Sequence, residues 1–524
     1  MGVATAVSRL FGFSRVLVIA AVLGTTYLGN TFQASNSFSN VLFELLAAGA
    51  LSAVLVPTFV ALLDAGDDSE AERLAGNVLS RALIGLGVVA VVAVLAAPWI
   101  ADVLASGAGS EAVEERQVAL STFLLRFFIP QVLLYAVGTV SIAMLYAKRR
   151  FAVTAAAPIG NTVVIVTAMI VFRLLTGPGP AGLDLSTAEK LTLAVGGTLG
   201  VAAFVGVPTV ALRRTGFALR PRYDRGDPAV RDLLRLSGWA VLQHAEVGIL
   251  LGTAIVVGNG VEGGVLAYQV AWVFFLAPYA VLAQPVHTAI LPELAGQAAR
   301  GDDGAFAASS RWALDAMAYL VVPVAAAMLC LAQPGMRVVA FGRAAGGVDL
   351  LAAGVASLAV GLFCYSAFLL LARAYYARGD SRTPALVALV TALAGAGVMV
   401  VGAQYAHGAA LVAMLGIGHS TAYLLGAVVL SVGLSRRTGH AVVPAALPRA
   451  LAPAAVLGAA AWWVAETVAP RGRVATLALL AAIAVVGAAL YVGAIRALGA
   501  GAMRLRAARG VPGAPEPDAA EVDA

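Results

Sequence analysis

Fourteen long apolar runs follow one another along this chain, centred near residues 15, 48, 92, 132, 163, 200, 246, 278, 320, 360, 394, 422, 457 and 485. A helix of about 20 apolar residues crosses the bilayer hydrocarbon, where every backbone N–H and C=O must be satisfied internally. The runs therefore predict a bundle of membrane-spanning helices. Composition agrees: of 524 residues 61% are hydrophobic and 12% charged, too few charges to wet a globule of that size. The short polar/apolar alternation of a membrane barrel is absent. A soluble enzyme, a nucleic-acid binder and a disulfide scaffold are excluded together. Cys330 and Cys364 lie inside apolar runs, where they read as packing residues and not as a zinc or redox pair.

The net charge of +6 reports topology. Of the 34 basic residues 32 are arginine, and they gather between the runs. With fourteen spans, alternate connections fall on opposite sides, and Lys plus Arg then divide 24 to 7. The richer side takes Lys148, Arg149 and Arg150, the stretch from Arg213 to Arg235, and the tail arginines. Positive connections stay in the cytoplasm, so both termini are expected there. The first run carries arginines and exceeds a signal h-region, so it reads as a retained span. Residues 501–524, basic and then rich in Pro and acids, read as a disordered cytoplasmic tail resting on anionic lipid.

Internal similarity suggests a duplicated core. Ala50-Leu51-Ser52 to Pro57 before an acidic loop resembles Thr288 to Pro292 before Gly301-Asp302-Asp303, and Tyr146 before a basic turn resembles Tyr376 before Arg378. The offsets are 235 (292 − 57) and 230 (376 − 146). About six spans fit within them, and an even number keeps both halves facing the same way, with the repeat axis along the membrane normal. The expected fold is all-α and polytopic, with about fourteen transmembrane helices: two pseudo-repeated six-helix lobes around a central cavity, plus two extra C-terminal helices. The expected divisions are 1–220, 221–440, 441–500 and the tail 501–524.

Polar groups inside spans carry the functional information, because each costs free energy unless it meets water or a partner. In span 1, Arg9 is shallow enough to snorkel to headgroups, whereas Arg15 sits near mid-depth. A guanidinium there wants a carboxylate or a phosphate, both of which match its planar fork. In span 2, Gln33, Asn36, Ser37, Asn40 and Glu44 recur at three- and four-residue steps, with Asn30 one turn earlier. That spacing puts them on one helix face and reads as the wall of a water-filled cavity, with Glu44 a possible holder of Arg9 or Arg15. In span 7, Trp239, Gln243 and Glu246 share a face beside His244; Glu246 is either a proton or cation site or a protonated, hydrogen-bonded acid. His287, Asp315, His419 and Glu466 read as packing or helix-end residues. The candidate site is thus Arg9, Arg15, Asn30, Gln33, Asn36, Asn40, Glu44, Gln243 and Glu246, with no catalytic group and no metal.

A nucleotide loop needs a Lys after a glycine-rich turn. The only lysines, Lys148 and Lys190, follow Tyr146-Ala147 and Ala188-Glu189, so ATP hydrolysis is excluded and no cofactor is expected. Movement would draw on the membrane potential, H+, Na+ or the substrate's own gradient.

The opening Ser8-Arg9-Leu10-Phe11-Gly12-Phe13-Ser14-Arg15, with Gly24, Asn40 and Gly49-Ala50-Leu51-Ser52 to Val56-Pro57, resembles the MurJ/MviN lipid II flippases of the multidrug/oligosaccharidyl-lipid/polysaccharide exporter superfamily. The fourteen spans, the repeat and the C-terminal pair match as well. The resemblance implies a bacterial inner-membrane transporter, not an enzyme, that carries lipid-linked peptidoglycan precursor outward by alternating access. It also maps the cavity arginines of span 1 onto Arg9 and Arg15. The chain departs from the pattern at Asn30, where an acid is usual, at Phe43 in place of an arginine, at Trp272 and Val273 in place of an Asp-Arg pair, and in span 11, which carries no acid between Pro384 and Gln404. Three alternatives stay open: a divergent paralogue for another polyprenyl-pyrophosphate glycan, a cation or drug exporter of the superfamily, and a non-transporting scaffold that docks cell-wall synthesis proteins. Expected partners are lipid II or a similar lipid and membrane lipids, with no nucleic acid.

Overall fold

Alanine, leucine and valine dominate the runs, and in hydrocarbon such sequence has one solution per segment, a helix that closes its own hydrogen bonds. The structure, a computed structural model, describes residues 2–43, 49–179, 182–224, 245–470 and 472–498, and among these it contains helices and no strand. The first half runs α1 (Gly2–Leu23), α2 (Tyr27–Phe43), α3 (Gly49–Asp64), α4 (Asp68–Leu95), α5 (Ala97–Ala105), α6 (Glu111–Phe128), α7 (Gln131–Ala147), α8 (Phe151–Thr176) and α9 (Thr187–Arg213). The second half opens with α10 (Ala245–Gly258). It continues through α11 (Gly264–Pro278), α12 (Gln284–Arg300), α13 (Asp303–Cys330), α14 (Ala332–Val339), α15 (Val348–Val360), α16 (Leu362–Ala377), α17 (Arg382–Gly402) and α18 (Ala409–Thr438). Then α19 (Leu447–Val468) and α20 (Arg473–Ala497) form a terminal pair.

Among the described residues eleven helices are long and apolar enough to cross a membrane, and four shorter apolar pieces accompany them, Leu10–Leu23, Leu55–Asp64, Ala245–Gly258 and Leu362–Ala377. The last follows α15 after the single residue Gly361 and continues that crossing, which leaves fourteen. Several crossings are built from two helices. The eighth is α11 and α12 joined by a π-helical turn, Tyr279–Ala283, flanked by Pro278 and Pro285. Proline removes a helix donor and forces such an adjustment, which hydropathy alone does not reveal.

The repeat is visible element by element. Helices α4 and α13 are each 28 residues long and start 235 positions apart (303 − 68). Both are capped the same way: Asp67 accepts from the Glu70 N–H, and Asp302 from the Ala305 N–H. The same helix pairs touch in both halves: α8 with α9 and α17 with α18, α6 with α9 and α15 with α18, α4 with α7 and α13 with α16. At the α17–α18 contact an added Cβ on Gly395 would lie 2.5 Å from the Gly418 carbonyl oxygen, and one on Gly418 2.6 Å from that of Gly395. Bare glycines allow that approach, as at small-residue contacts between membrane helices generally.

The last pair is peripheral: α19 lies on α13, and α20 on α19 and α14. Asp315 of α13 accepts from the Ala446 backbone N–H at 2.8 Å, which sets an acid at the positive end of α19. After α9 the chain turns back along α4, where Glu72 accepts from Ala218 N–H at 3.0 Å and Asn77 from Asp224 N–H at 3.1 Å.

Candidate functional site

Polar residues that the apolar runs cannot explain gather in the first half, and others bond across to the second. Helix α1 leans on α8, which carries Arg15 toward Asn161. Arg15 Nη1 donates to Asn161 Oδ1 at 2.6 Å, while Arg15 Nε is buried without a partner. Tyr135 of α7 donates its hydroxyl to Asn40 Oδ1 of α2 at 2.7 Å. Four helices thus bring Arg15, Asn161, Tyr135 and Asn40 into one cluster. Asn40 is exposed and Asn161 buried, so the cluster spans the wall from packed interior to open space.

The stripe on α2 is divided by depth. Asn40 is open, Asn36 is half-buried, and Gln33 and Ser37 are buried. Ser37 accepts from Gln269 of α11 at 2.9 Å, across the boundary between the halves. Asn30 is fully buried and turned to structural work: its Nδ2 donates to the Val261 carbonyl at 2.9 Å, and its Oδ1 accepts from Val265 N–H at 3.0 Å.

The second half answers with rings. His419 sits between two phenols, with its Nε2 2.7 Å from the Tyr268 hydroxyl and its Nδ1 3.3 Å from that of Tyr423. Trp272 stacks on Phe275 at 5.2 Å and lies 5.0 Å from the His419 ring. Glu246 of α10 is buried, within electrostatic reach of Tyr423. Phe274 meets Phe13 of α1 edge-on at 4.7 Å, so the aromatic wall touches the arginine-bearing helix.

Of the residues singled out in the sequence, Arg15 and Asn40 come together, whereas Asn30, Gln33 and Ser37 are packed away. Glu44 and Gln243 lie outside the described residues, as do Trp239 and His244, and so does the side chain of Arg9, whose backbone belongs to α1. Asp315 caps α19, His287 is buried against Met317, and Glu466 is exposed. Sequence reasoning missed Asn161, Tyr135, Asn259 and Arg343. Among the described residues no group of three or more His, Cys, Asp or Glu could hold a metal. The arrangement, one guanidinium, several amides and a phenol, is chemically suited to binding an anionic, hydroxyl-rich group.

Residues 19–483 match the family described as lipid II flippase MurJ. A protein of Rhizobium tropici named probable lipid II flippase MurJ is 28% identical over 393 residues, 73% of this chain and 71% of the relative. The Burkholderia cenocepacia protein named lipid II flippase MurJ is 25% identical over 397 residues, 74% and 73% of the two chains. A solved lipid II flippase MurJ in an inward closed conformation superposes with a TM-score of 0.73 at 15% identity, over 94% of this chain and 98% of that one. An inward-facing multidrug transporter of the MATE family superposes at 0.65 with 14% identity, over 82% and 94%. The fourteen-crossing, two-lobe fold is therefore that of these transporters, and the chain, a multi-pass membrane protein, belongs to the lipid II flippase MurJ family.

Proposed function

We propose that this chain carries lipid II, the lipid-linked peptidoglycan precursor, from the cytoplasmic to the outer leaflet by alternating access between its two halves. The headgroup of such a lipid, a diphosphate with sugars and peptide, cannot cross about 30 Å of hydrocarbon unaided, since each unmade hydrogen bond costs several kcal/mol. A polar passage with a guanidinium removes most of that barrier. Arg15 carries this reading: among the described residues its one hydrogen bond goes to a neutral amide, and its Nε is buried and unpaired. An arginine held that way at mid-depth is a site for an anion that comes and goes, because a resident carboxylate would compete with the cargo. The phosphates would engage Arg15, and the sugars would meet Asn36, Asn40 and Tyr135.

The 24-to-7 division of Lys and Arg supports a cytoplasmic Lys148 end, with both termini there and the Asn259 end outside. Outward movement of anionic charge then gains about 2.3 kcal/mol per charge per 100 mV, so the potential alone suffices as a drive, without ATP or a bound cofactor. The test is complementation of a bacterium depleted of its own flippase. This chain should restore growth and outer-leaflet lipid II, and Arg15→Ala, inserted at equal level, should not. Growth on Arg15→Ala at full rate would overturn the assignment.

A second reading, a cation exporter of the same superfamily, is favoured by the buried Glu246 alone. It requires Glu246→Gln to abolish transport and Arg15→Ala to be silent. A paralogue for another polyprenyl-linked glycan would keep the Arg15 dependence but fail to complement.

A further inference from the structure

At the end of the molecule opposite the basic connections, each half finishes helices that belong to the other. Helix α11 begins at Gly264 after Gly263, which has no side chain to cap it. Its first-turn donors are met instead from α2: Asn30 Oδ1 accepts from Val265 N–H at 3.0 Å and from Leu266 N–H at 3.4 Å. In return, Arg343 of the second half reaches the final turns of α1 and α8. Its Nη1 donates to the Val22 carbonyl at 2.9 Å, and its Nη2 to the Gly177 carbonyl and the Thr176 hydroxyl, both at 3.0 Å. A cation at helix C-termini also suits the partial negative charge there.

Asn259, in the α10–α11 turn, ties this turn to Asn30 and to the first-half elements beside it. Its Nδ2 donates to the Ala105 carbonyl and to Gln117 Oε1, both at 3.0 Å, and its Oδ1 accepts from Gln117 at 3.0 Å and Asn30 at 3.3 Å. The surfaces could not meet this closely with larger residues. An added Cβ on Gly263 would lie 2.5 Å from Thr25, one on Gly347 2.2 Å from the Thr25 hydroxyl, and one on Gly342 2.5 Å from the Ala21 carbonyl oxygen. Among the described residues the hydrogen bonds joining the halves gather at this end, with Gln269 to Ser37 a further one between α11 and α2.

We propose that this reciprocal capping is the outer latch of the carrier: Asn30, Asn259 and Arg343 hold the extracytoplasmic end shut by completing helix ends in trans, and release requires all of them to be exchanged for water. The latch rests on the carrier reading for its sidedness and its role. Its logic is that an uncapped helix end is tolerable in water and costly in a dry interface, so the caps make the closed state specific without burying a carboxylate. A wetted interface gives all of these groups substitute partners, which keeps the opening step reversible.

The test measures distance across that end. Spin labels at Glu111 in the first half and Tyr405 in the second, both exposed, are placed on the full chain after Cys330 and Cys364 are replaced by Ala, and the protein is reconstituted in nanodiscs. Double electron–electron resonance on the parent should show one dominant short population. Arg343→Ala and, separately, Asn30→Ala should each add a longer one, raising the open-to-closed ratio at least about fivefold, the weight of one lost cap. Arg343→Lys, able to reach one carbonyl, should fall between. If Arg343→Ala does not fold, Asn30→Ala decides alone. Distributions unchanged in folded variants overturn the latch. Lipid II transport by the parent, measured in parallel, separates the two readings: a parent that opens on losing Arg343 but moves no lipid II keeps the latch and loses the substrate.

Discussion

Arg15 and Asn161 show how a neutral partner can hold a guanidinium inside an apolar helix bundle. The amide orients the guanidinium without neutralising it. Asn161→Asp would change that with one atom, placing a carboxylate against Arg15 at the 2.6 Å contact. The expected outcome is a protein at least as stable in detergent as the parent, with lipid II transport lowered at least about tenfold, because displacing a buried ion pair partner costs more than 1.4 kcal/mol. Transport and melting measured on the same preparation check both halves of that statement. Outside the spans, Asp380 makes a different prediction. Burial alone would raise its carboxyl, but two hydrogen bonds from Thr383 and the Arg437 guanidinium 2.6 Å away outweigh it and hold the group at about 2. The ordinary value is about 3.9. Its contribution to stability is therefore complete above about pH 4 and is lost as pH falls toward 2. Melting temperature should drop across that window more in the parent than in Asp380→Asn, and equal slopes would contradict the geometry. At this scale the sequence revealed Arg15 and the polar face of α2, because charge and spacing are local properties. Asn161, Tyr135, Asn259 and Arg343 stayed hidden. Their meaning comes from partners 146, 95, 229 and 321 positions away, and a lone amide in an apolar run reads first as glue between helices.

Elements were more legible than residues. The offsets of 235 and 230 seen in Pro57/Pro292 and Tyr146/Tyr376 reappear as helices α4 and α13 and as α7 and α16 at matching registers. What hydropathy could not supply is where a span breaks. The π-helical turn after Pro278 and the short α5 and α14 are continuous with their neighbours in any window average. Nor could it say which glycines touch. The Gly395–Gly418 contact predicts that Gly418→Val, in a helix otherwise rich in β-branched and aliphatic residues, forces α17 off α18. The melting temperature in detergent should fall by several degrees, with lipid II transport falling too, since α18 also carries His419 and Tyr423 of the aromatic wall. Gly397, with nothing within 4 Å of an added Cβ, is the control that should tolerate Val.

Seen whole, the described residues of the two halves are hydrogen-bonded to each other at one end of the molecule. Arg343, Asn259 and Asn30 interlock one end, while the Arg15 cluster and Asn40 lie further along, toward the basic connections. On the carrier proposed above, that asymmetry separates the proposed latch from the proposed cargo site. The most direct measurement is transport of labelled lipid II in proteoliposomes, with the purified chain and its Arg15→Ala variant reconstituted at equal density under an imposed potential, negative on the cytoplasmic side. The account predicts lipid II appearing in the far leaflet with the parent and no more than in protein-free vesicles with Arg15→Ala. Equal transport by the two, or none by a folded parent, would contradict it.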